Sequence, residues 1–192
     1  MKVGLYFGSF NPIHVGHLII ANHILNETNL QKVWLVVSPQ NPFKKSATLL
    51  NEFDRLHLVQ LAVEEDERLR AVDIEFALPK PSYTATTLAY LAERHPAYEF
   101  QIIMGGDSFQ NVGSWHNADF ILRNYKINVY NRPGFAIENT WGADVQVMDA
   151  PLLEISATHI RNLIKEGKSI KYLVPQKVEK EIVENRLYSK LQ

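Results

Sequence analysis

The sequence predicts an α/β fold, a doubly wound and mostly parallel sheet, and three observations predict it. Short runs rich in β-branched and aromatic residues alternate with helix-length amphipathic runs. The first such run passes straight into a glycine-bearing turn and a helix. After Ile155 the pattern is helical to the end. Parallel strands need a crossover to return the chain, and a helix of this length supplies it.

The strands are read in order as KVGLYF (2 to 7), KVWLVVS (32 to 38), LRAVDIEF (69 to 76), EFQIIMG (99 to 105), KINVYN (126 to 131) and DVQVMD (144 to 149), each bounded by Gly, Pro, Asn or Asp. Between them HLIIANHILNET (17 to 28), LLNEFDRLHLVQLAVEED (49 to 66) and TATTLAYLAERH (84 to 95) place apolar residues three and four apart, as at Leu56, Val59, Leu61 and Val63. SATHIRNLIKEG and VPQKVEKEIVENRLY form the C-terminal helices, with Pro175 suited to a first turn. The stretch 132 to 143, with Pro133, Gly134 and Gly142, reads as a loop. Asp54, Arg55 and EEDER (64 to 68) read as a solvated helix end.

At 192 residues and 46% hydrophobic, the chain can bury one sizeable core, so one domain over 1–192 is expected. A formal net charge of −1 gives no basic footprint for nucleic acid or an anionic membrane, which favours small-molecule partners. With no cysteine, disulfides, thiolate metal sites and cysteine nucleophiles are excluded. The N-terminus lacks the pattern of a secretory signal, and no apolar run approaches the roughly 20 residues that span a bilayer. A cytoplasmic protein is expected; self-association into a homo-oligomer is left open.

GLYFGSFNPIHVGH (4 to 17) carries the chemistry. In an open α/β sheet ligands bind beyond the carboxyl ends of the strands, where the first strand-to-helix turn offers backbone N–H groups and the positive end of a helix dipole. Gly8 lets the backbone approach a ligand, Pro12 fixes the turn, and Gly16 removes a side chain between His14 and His17. With a helix starting near His14 or Val15, the two imidazoles share a face and point at one phosphate. His23, His57, His95 and His159 have no such context and read as surface or hydrogen-bonded residues. A zinc site on His14 and His17 would need a third protein ligand, and no His-Glu-x-x-His arrangement supplies one.

GSFNPIHVGH resembles the G-x-F-x-P-x-H-x-G-H signature of the nucleotidyltransferase superfamily, and ISATHIR (155 to 161) resembles its second signature, I-S-[ST]-T-x-[IL]-R. PSYTATTL (81 to 88), IMGGDSF with SWH, and the closing YLVPQKVEKEIVENRLY are similar to segments of bacterial nicotinate-nucleotide adenylyltransferases. The resemblance spans nearly the whole chain. It implies a Rossmann-like nucleotidyltransferase fold with a C-terminal helical segment. The reaction it implies is transfer of AMP from ATP to nicotinate mononucleotide, giving nicotinate adenine dinucleotide and pyrophosphate in NAD biosynthesis. His14, His17 and Arg161 are then catalytic. Gly8, Ser9, Phe10, Lys44, Gly105, Asp107, Ser156 and Thr158 join them around ATP, with Lys44 or Lys45 as the mobile cation. Tyr83, Thr84, Trp115 and His116 take the acceptor, Trp115 by stacking on the pyridine ring and the Tyr83-Thr84 helix start by its amides and hydroxyls. Mg²⁺ is expected with ATP, held mainly by phosphate oxygens and water.

The chain departs from the family pattern at Ser9 and Asn11, where a threonine and an acid are frequent, and at Ala157, where a small hydroxyl residue is usual. Neutral Asn11 keeps hydrogen bonding and makes a metal role there doubtful. Nicotinamide mononucleotide or phosphopantetheine as acceptor, a regulatory nucleotide-binding module without turnover, and a zinc hydrolase stay open as alternatives. PSYTATTL and Trp115 argue against phosphopantetheine.

Overall fold

The protein is described by a computed structural model covering residues 1–40, 49–131, 137–139, 141–151 and 154–189. Its centre is a six-stranded sheet of order β3-β2-β1-β4-β5-β6, parallel throughout. The strands are β1 (Lys2–Gly8), β2 (Lys32–Val37), β3 (Leu69–Val72), β4 (Glu99–Gly105), β5 (Ile127–Tyr130) and β6 (Val145–Met148). The helices are α1 (Val15–Glu27), α2 (Glu52–Val63), α3 (Thr84–Arg94), α4 (Gly106–Phe109), α5 (Ala118–Asn124), α6 (Ala157–Lys165) and α7 (Gln176–Glu184).

The inner strands read as continuous apolar runs because helices cover both of their faces. Leu5 of β1 lies opposite Trp34 of β2 and Ile102 of β4, and these pack with Leu88 and Leu91 of α3, Phe109 of α4 and Ile121 of α5. On the other face Leu35 and Val37 meet Leu58 and Val59 of α2, Ile160 of α6 and Val178 and Ile182 of α7. Beside them Tyr6, Val33, Ile103 and Tyr130 meet Ile20, Ala21 and Ile24 of α1. Strands β1 to β3 run outward in one direction and β4 to β6 in the other, so the order reverses between β1 and β4. Gly8 and Gly105 end those two strands side by side, where a crevice opens.

Helix ends follow local chemistry. Asn51 caps α2 by accepting from the Phe53 N–H at 2.9 Å, with Glu52 and Asp54 in the first turn, and Ser156 Oγ caps α6 by accepting from His159 N–H at 3.2 Å. The run read as one strand over 69 to 76 ends at Val72; Asp73 turns the chain into a 3-10 turn over Ile74–Ala77. That turn buries Glu75 against the start of α3, a tertiary demand that outweighs the β-propensity of the segment. The stretch between β4 and β5 also holds two short helices, too brief for a periodic signal. No helix among the described residues is long and apolar enough to cross a membrane.

Leu5 is fully buried at the centre of the sheet, whereas Val147 on edge strand β6 is 50% exposed. Leu5→Ala should cost about 2–5 kcal/mol of unfolding free energy. Val147→Thr should stay within about 0.5 kcal/mol of wild type. Urea denaturation of both variants checks the pair.

Candidate active site

The turn joining β1 to α1 is folded back on itself. Phe10 adopts a left-handed backbone (φ 44°), uncommon for a non-glycine residue, and the peptide between Asn11 and Pro12 is cis. The Phe10 ring is buried under the turn, edge-on to Tyr6 (5.9 Å) and His17 (5.1 Å). Gly8 is required by that ring, since a Cβ there would sit 2.8 Å from Phe10 Cζ. The glycine thus serves packing inside the turn, and it also lines the crevice described below. The Phe10 side chain is thus spent inside the fold.

His14 caps α1 and lies against His17, ring centroids 3.7 Å apart and planes tilted by 31°. Gly16 permits this, because a Cβ at that position would stand 3.1 Å from His14 Nδ1. His17 Nδ1 accepts the His14 backbone N–H at 3.2 Å. An imidazole bonded this way carries, in its neutral form, its proton on Nε2, leaving that nitrogen as a donor. The first amides of α1 are largely spent: Val15 N–H donates to Leu173 O and His17 N–H to His14 O, both at 3.0 Å. The imidazoles, more than the helix terminus, are the donors this end of α1 presents. Among the described residues no three His, Asp or Glu side chains gather to hold a metal, so the zinc arrangement lacks its further ligands.

Helix α6 reaches the same turn. Arg161 Nη1 donates to Asn11 O at 2.7 Å, and Nη2 to Thr158 Oγ1 at 3.2 Å. Burial draws the guanidinium down from its usual range without threatening its charge. Arg161 therefore meets the β1–α1 turn with Thr158 bonded to it, while Ser156 caps the same helix. Asn11 is buried, and its Oδ1 accepts from Leu50 N–H at 3.2 Å, which spends the neutral side chain inside the fold.

Arg55, read as part of a solvated helix end, is fully buried. The inward face of α2 is Arg55, Leu58, Val59 and Val63, and Leu56 and Leu61 lie partly out of the core. The guanidinium donates to Leu50 O, Ser9 O, Ser38 O and Pro39 O at 2.6 to 3.1 Å. Hydrophobic periodicity counts an arginine as an outward residue, and only the loop carbonyls converging on it reveal otherwise.

The crevice beside this turn encloses about 860 Å³, including its open mouth, and is lined by Gly8, Ser38, Gly105, Tyr130, Tyr83, Thr84, Trp115 and His116 among others. The four residues predicted for the acceptor are thus brought together, with the Tyr83 and His116 rings 4.7 Å apart. Trp115 also packs partly against the core. Asp107 follows Gly105 at the start of α4, and a Cβ on Gly105 would come within 2.5 Å of Asp107 Oδ1. Lys44 and Lys45 lie outside the described residues. Sequence reasoning passed over Glu75, whose buried carboxylate accepts from Ser82 Oγ at 2.7 Å and Thr87 Oγ1 at 2.9 Å. It ties down the chain on either side of Tyr83 and Thr84.

A sequence profile of the cytidylyltransferase-like family matches residues 5–163. Curated relatives named nicotinate-nucleotide adenylyltransferase include one from Cytophaga hutchinsonii, 51% identical over 98% of this chain and 99% of its own length. Another, from Flavobacterium johnsoniae, is 49% identical over 99% of this chain and 100% of its own. The chain belongs to the nicotinate-nucleotide adenylyltransferase family. In three dimensions it is similar to the nicotinic acid mononucleotide adenylyltransferase of Plasmodium falciparum complexed with NaAD, with a TM-score of 0.81, 20% identity and coverage of 97% of both chains. At that identity the likeness speaks for the fold, a Rossmann-like nucleotidyltransferase architecture followed by C-terminal helices. In this member of the family, two signatures far apart in sequence meet at one turn, with an open crevice beside them.

Glu75→Ala would remove the acceptor of the buried Ser82 hydroxyl and the nearer acceptor of Thr87, which keeps Tyr83 O at 3.3 Å, each such bond to a charged group contributing about 1.5–3 kcal/mol. Stability should fall by about 3 kcal/mol or more in thermal or urea unfolding. Ser82→Ala and Thr87→Ala should each cost less.

Proposed function

We infer that this enzyme transfers AMP from ATP to nicotinate mononucleotide, releasing pyrophosphate and forming nicotinate adenine dinucleotide. The observation that carries the reading is the contact of Arg161 with the Asn11 carbonyl at 2.7 Å. It joins the 155–161 signature to the 8–17 signature, whose Gly8 lines the crevice holding Tyr83, Thr84, Trp115 and His116.

The acceptor's phosphate oxygen attacks the α-phosphorus of ATP in line. One P–O bond forms there, the bond to the β-bridging oxygen breaks, and pyrophosphate leaves with the electron pair. The acceptor phosphate is already a competent nucleophile, so no covalent enzyme intermediate is needed. What the chain must supply is position and positive charge. His17, with its proton on Nε2, and the stacked His14 donate to the phosphate oxygens. Arg161 trades its bond to a neutral carbonyl for a charge-assisted one to the leaving pyrophosphate, with Ser156 and Thr158 beside it. Gly8, Ser9 and the Phe10 backbone form the floor, and Gly105 and Asp107 flank the nucleotide from β4, the carboxylate suited to ribose hydroxyls.

On the acceptor side Trp115 stacks on the pyridine ring, with His116 and Tyr83 completing an aromatic wall. The start of α3 at Thr84 offers amides and the positive end of an 11-residue helix to the nicotinate carboxylate, a group the amide analogue lacks. Mg²⁺ carried by the triphosphate would neutralise charge between the phosphates; among the described residues no cage of side chains awaits it. Lys44 is proposed as a further cation for the triphosphate. The chain is proposed to act in the cytoplasm as one domain over residues 1–192, on small-molecule substrates.

Pyrophosphate release from ATP and Mg²⁺ should be strongest with nicotinate mononucleotide, weaker with nicotinamide mononucleotide and absent with phosphopantetheine. His17→Ala should lower the rate by about 100- to 1000-fold. ATP binding without release for any acceptor would instead identify a regulatory module.

A further inference from the structure

We propose that Arg55 is a positioning residue for this reaction, holding the phosphate-binding turn from behind and placing a buried positive charge beneath the triphosphate. The inference rests on the adenylyl-transfer reading above. It names a residue that touches no substrate and belongs to neither signature.

Arg55 is the largest of the fully buried side chains. Its Nε donates to Leu50 O at 2.9 Å, Nη1 to Ser9 O at 2.6 Å and Ser38 O at 2.8 Å, and Nη2 to Pro39 O at 3.1 Å. These four carbonyls come from three places: the turn after β1, the end of β2 and the approach to α2. The planar guanidinium fork is the side chain able to serve all three at once. Two further bonds close the assembly, from Ser38 N–H to Gly8 O at 2.9 Å and from Leu50 N–H to Asn11 Oδ1 at 3.2 Å.

All four acceptors are neutral. Among the described residues Arg55 takes part in no ion pair, and Glu52, whose charge acts on it, is bonded to Lys80 Nζ at 2.6 Å. Burying a cation without a carboxylate is costly, and a methionine would fill the same space among Leu58 and Val59 without that cost. Tyr188 seals the region. It is 2% exposed, and its hydroxyl has no hydrogen-bond partner among the described residues. The charges of Arg55 and Arg161 both act on that phenol, while its burial pushes the phenol's pKa up and keeps it neutral. Glu52 is held by Lys80 and Asp54 acts on the phenol, and among the described residues neither carboxylate forms an ion pair with either arginine, so the phosphates that would lie across the turn are the charge that complements the two cations. Arg161 meets Asn11 O from the α6 side while Arg55 meets Ser9 O from the α2 side, so the turn is clasped at carbonyls two residues apart.

The test uses full-length Arg55→Met and Arg55→Lys. ATP binding is measured by calorimetry without acceptor, and kcat and KM for ATP and for nicotinate mononucleotide are measured at steady state. Arg55→Met should weaken ATP binding by about 10- to 100-fold and lower kcat, with the acceptor KM within about threefold of wild type. Arg55→Lys keeps the charge and loses the fork, so it should recover most of the ATP affinity while kcat stays low. Wild-type ATP affinity and kcat in Arg55→Met would overturn the proposal, as would equal losses for both substrates. If Arg55→Met fails to fold, Arg55→Lys decides: a wild-type kcat overturns the proposal, and a lowered kcat with retained ATP affinity supports it. Wild type is assayed alongside. Absent turnover there would sink the adenylyl-transfer reading, whereas the ATP-binding comparison would still judge Arg55.

Discussion

Two guanidinium groups gripping the carbonyls of Ser9 and Asn11 are the contacts on which the rest of the site depends. A turn carrying a left-handed phenylalanine has little reason to persist by local preference, because that backbone region is unfavourable for a bulky side chain. It persists because helices α2 and α6 hold it from two sides. Once Phe10 is held, its ring occupies the space over Gly8 and gives His17 an edge to rest on. His17 in turn receives the His14 backbone N–H, and the two imidazoles lie 3.7 Å apart between centroids. Remove the external grip and each later contact loses its footing.

The same arrangement sets the electrostatics. In many α/β folds the helix following the first strand presents unpaired amides to an anion. Here Leu173 and His14 carbonyls take two of the first amides of α1. Donor character passes to side chains, the imidazoles in front of the turn and the charged guanidiniums of Arg161 and Arg55 at its side and back. The acceptor side is built differently, from an aromatic wall and the start of α3, whose approach is anchored by Glu75 through Ser82 and Thr87. Cationic side chains gather at the β1–α1 turn, and aromatic surface lines the crevice beside it.

Long, periodic elements were legible in the sequence. Strands β1, β2 and β4 and helices α1, α2 and α3 fall within a few residues of their expected limits, because burial on two faces or on one helical stripe leaves a strong pattern. The 69 to 76 run was read too long, since the buried Glu75 imposes a turn that no local preference announces. Short helices α4 and α5 complete too few turns to show a period. In the site, motif residues His14, His17, Thr158 and Arg161 were legible because their spacing constrains one helix face each. Arg55 and Glu75 were not, because their partners lie 5 to 46 and 7 to 12 positions away and are mostly carbonyls and hydroxyls with no residue-type signature.

What the sequence by itself determined is the alternation of strand and helix, hence the parallel sheet, and the residue types able to bind phosphate at the end of β1. Periodicity and turn chemistry are local properties, carried by neighbours within about a helical turn. What only the tertiary structure decided is how the turn is held, why Gly8 is a glycine, where the Asn11 side chain is spent, and that an arginine on α2 lies inside. Those outcomes depend on which carbonyls and rings meet across the fold, and buried polar groups take whatever partner the packing brings them.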